Sequence, residues 1–199
     1  MPELPILSPW LKRGDTIGLV CPEGPVRDVA RLQAGIACIE QMGFKVQVCG
    51  SAQPQESYLA ASDGERAANL HRLWSDERIK AIIAMRGGFG CLRLVDLLDW
   101  QLFARTPKWL VGFSDITLLL HGLVSRSSLV SVHGPVVSSL AASDETSQQA
   151  LFALLTGGFE ERIKPKGLEV LRGGEGRGRL IGGNLTTLVH ALATPWDLD

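Results

Sequence analysis

A serine set between an apolar strand and an apolar helix is the first place in this sequence where chemistry could be done. The run Trp109-Leu110-Val111-Gly112-Phe113 is rich in β-formers and leads straight into Ser114, and an apolar, helix-like run from Ile116 to Leu123 follows. A tight turn at such a switch lifts the hydroxyl clear of the backbone, and the amide of the next residue, Asp115, can point at a developing oxyanion. The chemistry would be nucleophilic attack on a carbonyl. The spacing is Gly-x-Ser-x-Thr, without the second glycine of the usual elbow pattern. On this stretch alone a helix N-cap is the leading reading, because serine readily accepts hydrogen bonds from first-turn amides.

The second candidate is the loop Arg86-Gly87-Gly88-Phe89-Gly90. Its successive amides carry little steric cover and could hold an anion or an oxyanion. The rival structural reading is a turn that needs glycine for positive φ. A dinucleotide fingerprint starting at Gly88 would need glycine where Arg93 stands, and no Gly-Lys-Ser/Thr follows for a phosphate loop. Arg86 could grip a substrate carboxylate in bidentate fashion, and Asp115 is an acid favoured in a helix's first turn. Of the four histidines, His71 and His121 fall inside helical patterns and read as packing or surface residues. His133 follows a strand and is a candidate site-lining residue. Hydrogen-bond reach between a serine and a histidine cannot be read from spacing.

These groups need elements to hold them. Near-continuous apolar runs at residues 16–21, 81–85 and 109–113 have the look of strands buried on both faces. Alternation at Phe44, Val46 and Val48 gives another strand, and residues 129–132 a short fifth. Helical spacing falls over about residues 26–42, after a Ser62-Asp63-Gly64-Glu65 capping box, over 91–98, after Ser114 to about residue 125, and over 145–155. Residues 1–15 read as a polar lead-in and 49–61 as a loop. Strands alternating with helices imply an α/β fold with a doubly wound, mainly parallel sheet, whose ligands bind at the carboxyl ends of the strands. The expected organisation is an N-terminal domain over 1–158, a glycine-rich crossover over 159–177, and the start of a second domain over 178–199. That last piece cannot bury a core of its own. Its helix near 184–192 carries Leu185, Leu188, Val189 and Leu192 with little to cover them, so association or aggregation is expected.

The whole-chain balance is that of an ordinary globular protein: 199 residues, 45% hydrophobic and 21% charged, with a net charge of −1. No basic cluster points to nucleic acid or an anionic membrane. Neither a signal peptide nor a membrane-length apolar run is seen. Cys21, Cys38, Cys49 and Cys91 lack ligand spacing, so buried free thiols in a reducing compartment are expected, with no metal and no cofactor.

Taken together, Arg86-Gly87-Gly88-Phe89-Gly90, Gly112-Phe113-Ser114-Asp115, His133-Gly134-Pro135 and Gly182-Gly183-Asn184-Leu185 resemble the LD-carboxypeptidase family. This family comprises muramoyltetrapeptide carboxypeptidases and microcin-immunity hydrolases. The Pro22 loop and Thr194-Pro195-Trp196 fit as well, so the resemblance spans nearly the whole chain. It implies a metal-free, cytoplasmic, often dimeric serine peptidase with a Ser-His-Glu triad. Such an enzyme cleaves the bond between the L-centre of meso-diaminopimelate and the terminal D-alanine of murein tetrapeptides. By the resemblance Ser114 is the nucleophile, and Gly88 and Asp115 supply the oxyanion amides. Arg86, Gly87, His133 and Asn184 line the substrate. The family's triad Glu and His lie beyond the region matching Pro195-Trp196, and no histidine here matches the catalytic one. The 199-residue chain alone is therefore expected to be a very weak peptidase. The alternatives are an immunity-type hydrolase of peptide–nucleotide conjugates and a non-catalytic binding module.

Overall fold

Five short parallel strands lie side by side in the order β2-β1-β3-β4-β5: β1 (Thr16–Val20), β2 (Lys45–Cys49), β3 (Ile79–Ala84), β4 (Trp109–Gly112) and β5 (Val132–His133). The structure, a computed structural model, describes residues 5–50, 58–158 and 167–197. Most of the expected loop at 49–61 and the first part of the crossover at 159–177 therefore lie outside the described residues.

The central strands are apolar because both sheet faces are covered. Ile17, Leu19, Ala81, Ile83, Trp109 and Val111 face α1 (Val29–Gln41), α5 (Val137–Leu140) and α6 (Glu145–Leu155). Val20, Ile82, Ala84 and Leu110 face the other side. There they meet α2 (Asp63–Ser75), α3 (Trp100–Arg105) and α4 (Thr117–Ser127). The Ser62 hydroxyl accepts from the Glu65 amide at 3.3 Å while Glu65 reaches back to the Ser62 amide at 3.2 Å, so the capping box forms as read.

Several expectations need correction. No continuous helix covers 91–98. Two 3₁₀ turns, Cys91–Arg93 and Val95–Leu97, stand there instead. The Val95 carbonyl accepts from Trp100 Nε1 at 3.0 Å and the Asp99 amide donates to His71 Nε2 at 2.9 Å, which draws both groups of that rung out of a helical ladder. α1 begins at Val29 behind an Asp28 cap. The fifth strand is displaced to Val132–His133, while Leu129 forms an isolated bridge with Ile6. The described part of the lead-in is also packed rather than loose: Trp10 stacks on Trp109 at 5.2 Å, and Trp109 Nε1 donates to the Pro9 carbonyl at 2.8 Å.

At the other end, α7 (Leu185–Ala191) packs against α4, burying Thr187, Leu188 and Ala191. Leu188 is thus covered, contrary to the expectation for that face. Leu185, Val189 and Leu192 are at least half exposed. Trp196 joins the same body, donating from Nε1 to Asp96 at 2.9 Å beneath the Arg126 guanidinium.

Candidate active site

In a sheet of this order the crevice opens where chain direction across the sheet reverses, between the carboxyl ends of β1 and β3. Three segments converge there: the Pro22–Pro25 loop after β1, the Arg86–Gly90 loop after β3, and the turn at Ser114 after β4.

Ser114 has φ +62, a left-handed conformation that a serine pays roughly 1–3 kcal/mol to hold. The preceding Phe113 is extended, residues Ser114–Ile116 form a 3₁₀ turn, and α4 follows. The Ser114 side chain makes no capping bond. The cap reading is therefore replaced by a strained strand-turn-helix corner that presents the hydroxyl at the end of the sheet. Two contacts hold the corner. Asp115, buried, accepts the Cys91 amide at 2.7 Å and so ties the corner to the turn after the glycine loop. Gly87 packs directly on it: a methyl group there would lie 2.9 Å from Ser114 Cβ and 3.3 Å from its Oγ.

The glycine loop uses its residues differently from the positive-φ reading. Only Gly90 has positive φ (+121); Gly87 and Gly88 are required by close approach. A methyl on Gly88 would come within 3.1 Å of Glu23 Cβ and 3.2 Å of the Gly24 amide nitrogen. The Arg86 guanidinium donates from Nε to the Gly87 carbonyl at 2.6 Å and from Nη1 to the Pro25 carbonyl at 2.8 Å. It braces two site loops, and that is where its fork is spent. Phe89 and Phe113 are partly exposed at the rim, and Tyr58 stands over Phe89 with ring centroids 6.0 Å apart.

His133 is exposed at the end of β5, in register with Gly112, two residues before Ser114. Among the described residues no hydrogen bond joins Ser114 to a histidine. His71 Nε2 accepts the Asp99 amide at 2.9 Å, and burial holds its pKa below the usual histidine value. His121 pairs with the Asp197 carbonyl at 3.1 Å. Both serve packing and loop closure. Asn184 caps α7 through its side chain, and its amide donates to Thr117 Oγ1 at 3.0 Å, placing it over the first turn of α4. The neighbouring Gly183 has φ +146 and no room for a side chain: a methyl there would sit 2.3 Å from Thr117 Cγ2. Gly183→Ala is expected to loosen α7 from α4 while the sheet core stays folded. The check is hydrogen exchange: the amides of 185–191 should lose at least about tenfold protection, with β1 and β3 amides unchanged.

Two buried groups escaped the sequence reading. Arg66, fully buried, donates to the carbonyls of Pro22, Gly90 (3.2 Å) and Ala61 (3.3 Å) and pairs with Asp63. One side chain thus ties α2 to both site loops. Glu23 is also fully buried, and among the described residues neither carboxyl oxygen has a hydrogen-bond partner. Its carboxyl is held well above the usual range by burial first and by Asp115 second, against weaker pulls from its own amide, Arg86 and Arg66. Neither residue carries a local signal; only their burial in the fold reveals them. Among the described residues no group of three or more His, Cys, Asp or Glu is placed to hold a metal ion. No helix among them is long and apolar enough to cross a membrane.

Comparison with known proteins agrees with this fold. The chain is 34% identical over 195 residues to a probable murein peptide carboxypeptidase of Bacillus subtilis, across 95% of the chain and 60% of the relative. It overlays a muramoyltetrapeptide carboxypeptidase from Oxalobacter formigenes with a TM-score of 0.78 at 28% identity, covering 92% of this chain and 62% of that one. An MccF-like protein from Bacillus anthracis overlays with a TM-score of 0.87 at 25% identity, covering 98% and 67%. The chain spans about 60% of the length of the curated relatives it matches. The family model for the LD-carboxypeptidase N-terminal domain matches residues 17–134, a span that holds Glu23, the glycine loop, Ser114 and His133. By that match, which covers more than half of its residues, the chain belongs to the LD-carboxypeptidase family.

Proposed function

We propose that this chain carries the nucleophile and oxyanion half of a serine peptidase that releases the terminal D-alanine of murein tetrapeptides. The observation that carries the proposal is Ser114 in the left-handed region at the carboxyl end of β4, against Gly87. In the proposed reaction Ser114 Oγ attacks the carbonyl carbon at the L-centre of meso-diaminopimelate. The amides of Gly88 and Asp115 stabilise the oxyanion, worth about 3–4 kcal/mol per donor. The serine proton passes through a general base to the departing D-alanine amine. Water then attacks the ester, returning the proton to Ser114 and releasing the tripeptide.

Murein peptides as the substrate class are supported by relatives named as murein peptide and muramoyltetrapeptide carboxypeptidases. Recycling of such peptides sets the enzyme in the cytoplasm, where four buried free thiols stay reduced. Among the described residues no histidine bonds Ser114, and a serine without a base is a poor nucleophile. The described residues by themselves are therefore expected to turn over slowly.

Mass analysis of products from a murein tetrapeptide tests this. Slow release of the terminal D-alanine, lost in Ser114→Ala, is the expected result. Cleavage at another bond, or release that survives the substitution, would overturn it. Rapid turnover would refute the claim that the described residues give Ser114 no base. Hydrolysis of a peptidyl-nucleotide conjugate in place of the murein peptide would move the substrate class toward that of the immunity proteins.

A further inference from the structure

The Glu23 carboxyl has no part in the reaction above, yet it occupies the most constrained position in the site. It lies at the sheet's switch point, in the segment Cys21–Val26 whose residues are all buried. Its Cβ lies against Gly88 of the glycine loop, and Ser114 lies against the adjacent Gly87. The Gly87-Gly88 unit thus touches both a nucleophile and a buried acid. Among the described residues neither carboxyl oxygen has a partner. Neither nearby cation bonds it: Arg86 donates to the Gly87 and Pro25 carbonyls, and Arg66 to those of Pro22, Gly90 and Ala61. The remaining titratable neighbours are Asp115, whose carboxyl already accepts the Cys91 amide, and the thiols of Cys21 and Cys91. None of these offers a cation to an ionised Glu23.

We propose that Glu23 is a positioning residue for the glycine loop: its uncharged carboxyl fills the space behind Gly88, and ionisation pushes it out and carries Gly88 away from Ser114. An isolated charge cannot remain in a dry site without a partner. Repulsion from Asp115 acts in the same direction. Once ionised, the group must reach water, and the route leads through the loop that covers it. The proposal rests on the oxyanion reading of Gly88 only for its catalytic consequence, an alkaline limit on acylation.

Stability follows the same proton. Below the unfolded value near 4.3 both states are protonated, and the proton's contribution is fully present. As pH rises the unfolded chain releases its proton first, so stability is lost until pH passes the folded value. Glu23→Gln removes this dependence. The Tm of the Gln variant should gain on the wild type by about 3–5 °C for each pH unit across that window.

The deciding experiment is a pH titration of the backbone amide signals of Gly87, Gly88 and Ser114 in ¹⁵N-labelled protein. In the wild type the three should move together, with a midpoint well above the ordinary glutamate value, and in Glu23→Gln they should not. Glu23→Met, equally uncharged and similar in length, serves if the Gln variant does not fold. Signals that stay still in the wild type, or that titrate equally in the variants, would overturn the proposal. Signals that titrate only in the wild type, with Ser114 unreactive at every pH, would uphold Glu23's role and count against the peptidase reading instead.

Discussion

Gly87→Ala is expected to slow covalent modification of Ser114 about 100-fold while leaving the protein folded. The added methyl would stand 2.9 Å from Ser114 Cβ, closer than side-chain carbons approach, and 3.3 Å from the hydroxyl itself. Something must shift, and the corner is the strained partner, since Ser114 already sits at φ +62. A displacement of about 1 Å in a reacting group costs on the order of 100-fold in rate. Gly87 has no positive φ to lose, so backbone strain adds nothing and global stability should fall by less than about 1 kcal/mol. The measurement is the rate of fluorophosphonate labelling beside an unfolding curve. Labelling at the wild-type rate would mean that Gly87 does not position the nucleophile.

Arg66→Met has the largest expected effect on stability, a loss of about 3–5 kcal/mol in denaturant unfolding. The substitution keeps the apolar stem but leaves the carbonyls of Pro22 and Ala61 without their donor, that of Gly90 with only the Arg93 amide, and Asp63 with only Arg93. Each buried acceptor left unmet costs about 1–3 kcal/mol. Because those carbonyls belong to the loops after β1 and β3, labelling of Ser114 should slow as well, even where the variant is fully folded. A loss under about 1 kcal/mol would show that water takes the arginine's place.

The sequence was most legible where the physics is local. The Ser62–Glu65 capping box depends on four consecutive residues and forms in both directions. The apolar strands were visible because burial on both faces leaves continuous runs, as at Ile82, Ile83 and Ala84. The helix expected over 91–98 failed because side chains outside it claim its last rung: the Asp99 amide goes to His71, 28 residues earlier, and the Val95 carbonyl to the Trp100 indole. Ser114 could be read as a cap or a corner, since both suit a serine before an apolar helix; its φ decides, and φ is not written in the residue type. Arg86 looked like a free fork for a substrate, but the Pro25 carbonyl that engages it is 61 residues earlier. Glu23 and Arg66 were invisible for the same reason. Each is an ordinary surface residue type whose burial comes from the meeting of β1, β3 and α2.

The most direct test of Ser114 as the nucleophile is intact-mass and peptide-mapping analysis after prolonged exposure to a fluorophosphonate, with Ser114→Ala alongside. One slowly formed adduct, mapped to Ser114 and absent from the Ala variant, is the predicted result. An adduct that persists in Ser114→Ala, or a folded wild-type chain that never acquires one, would contradict it.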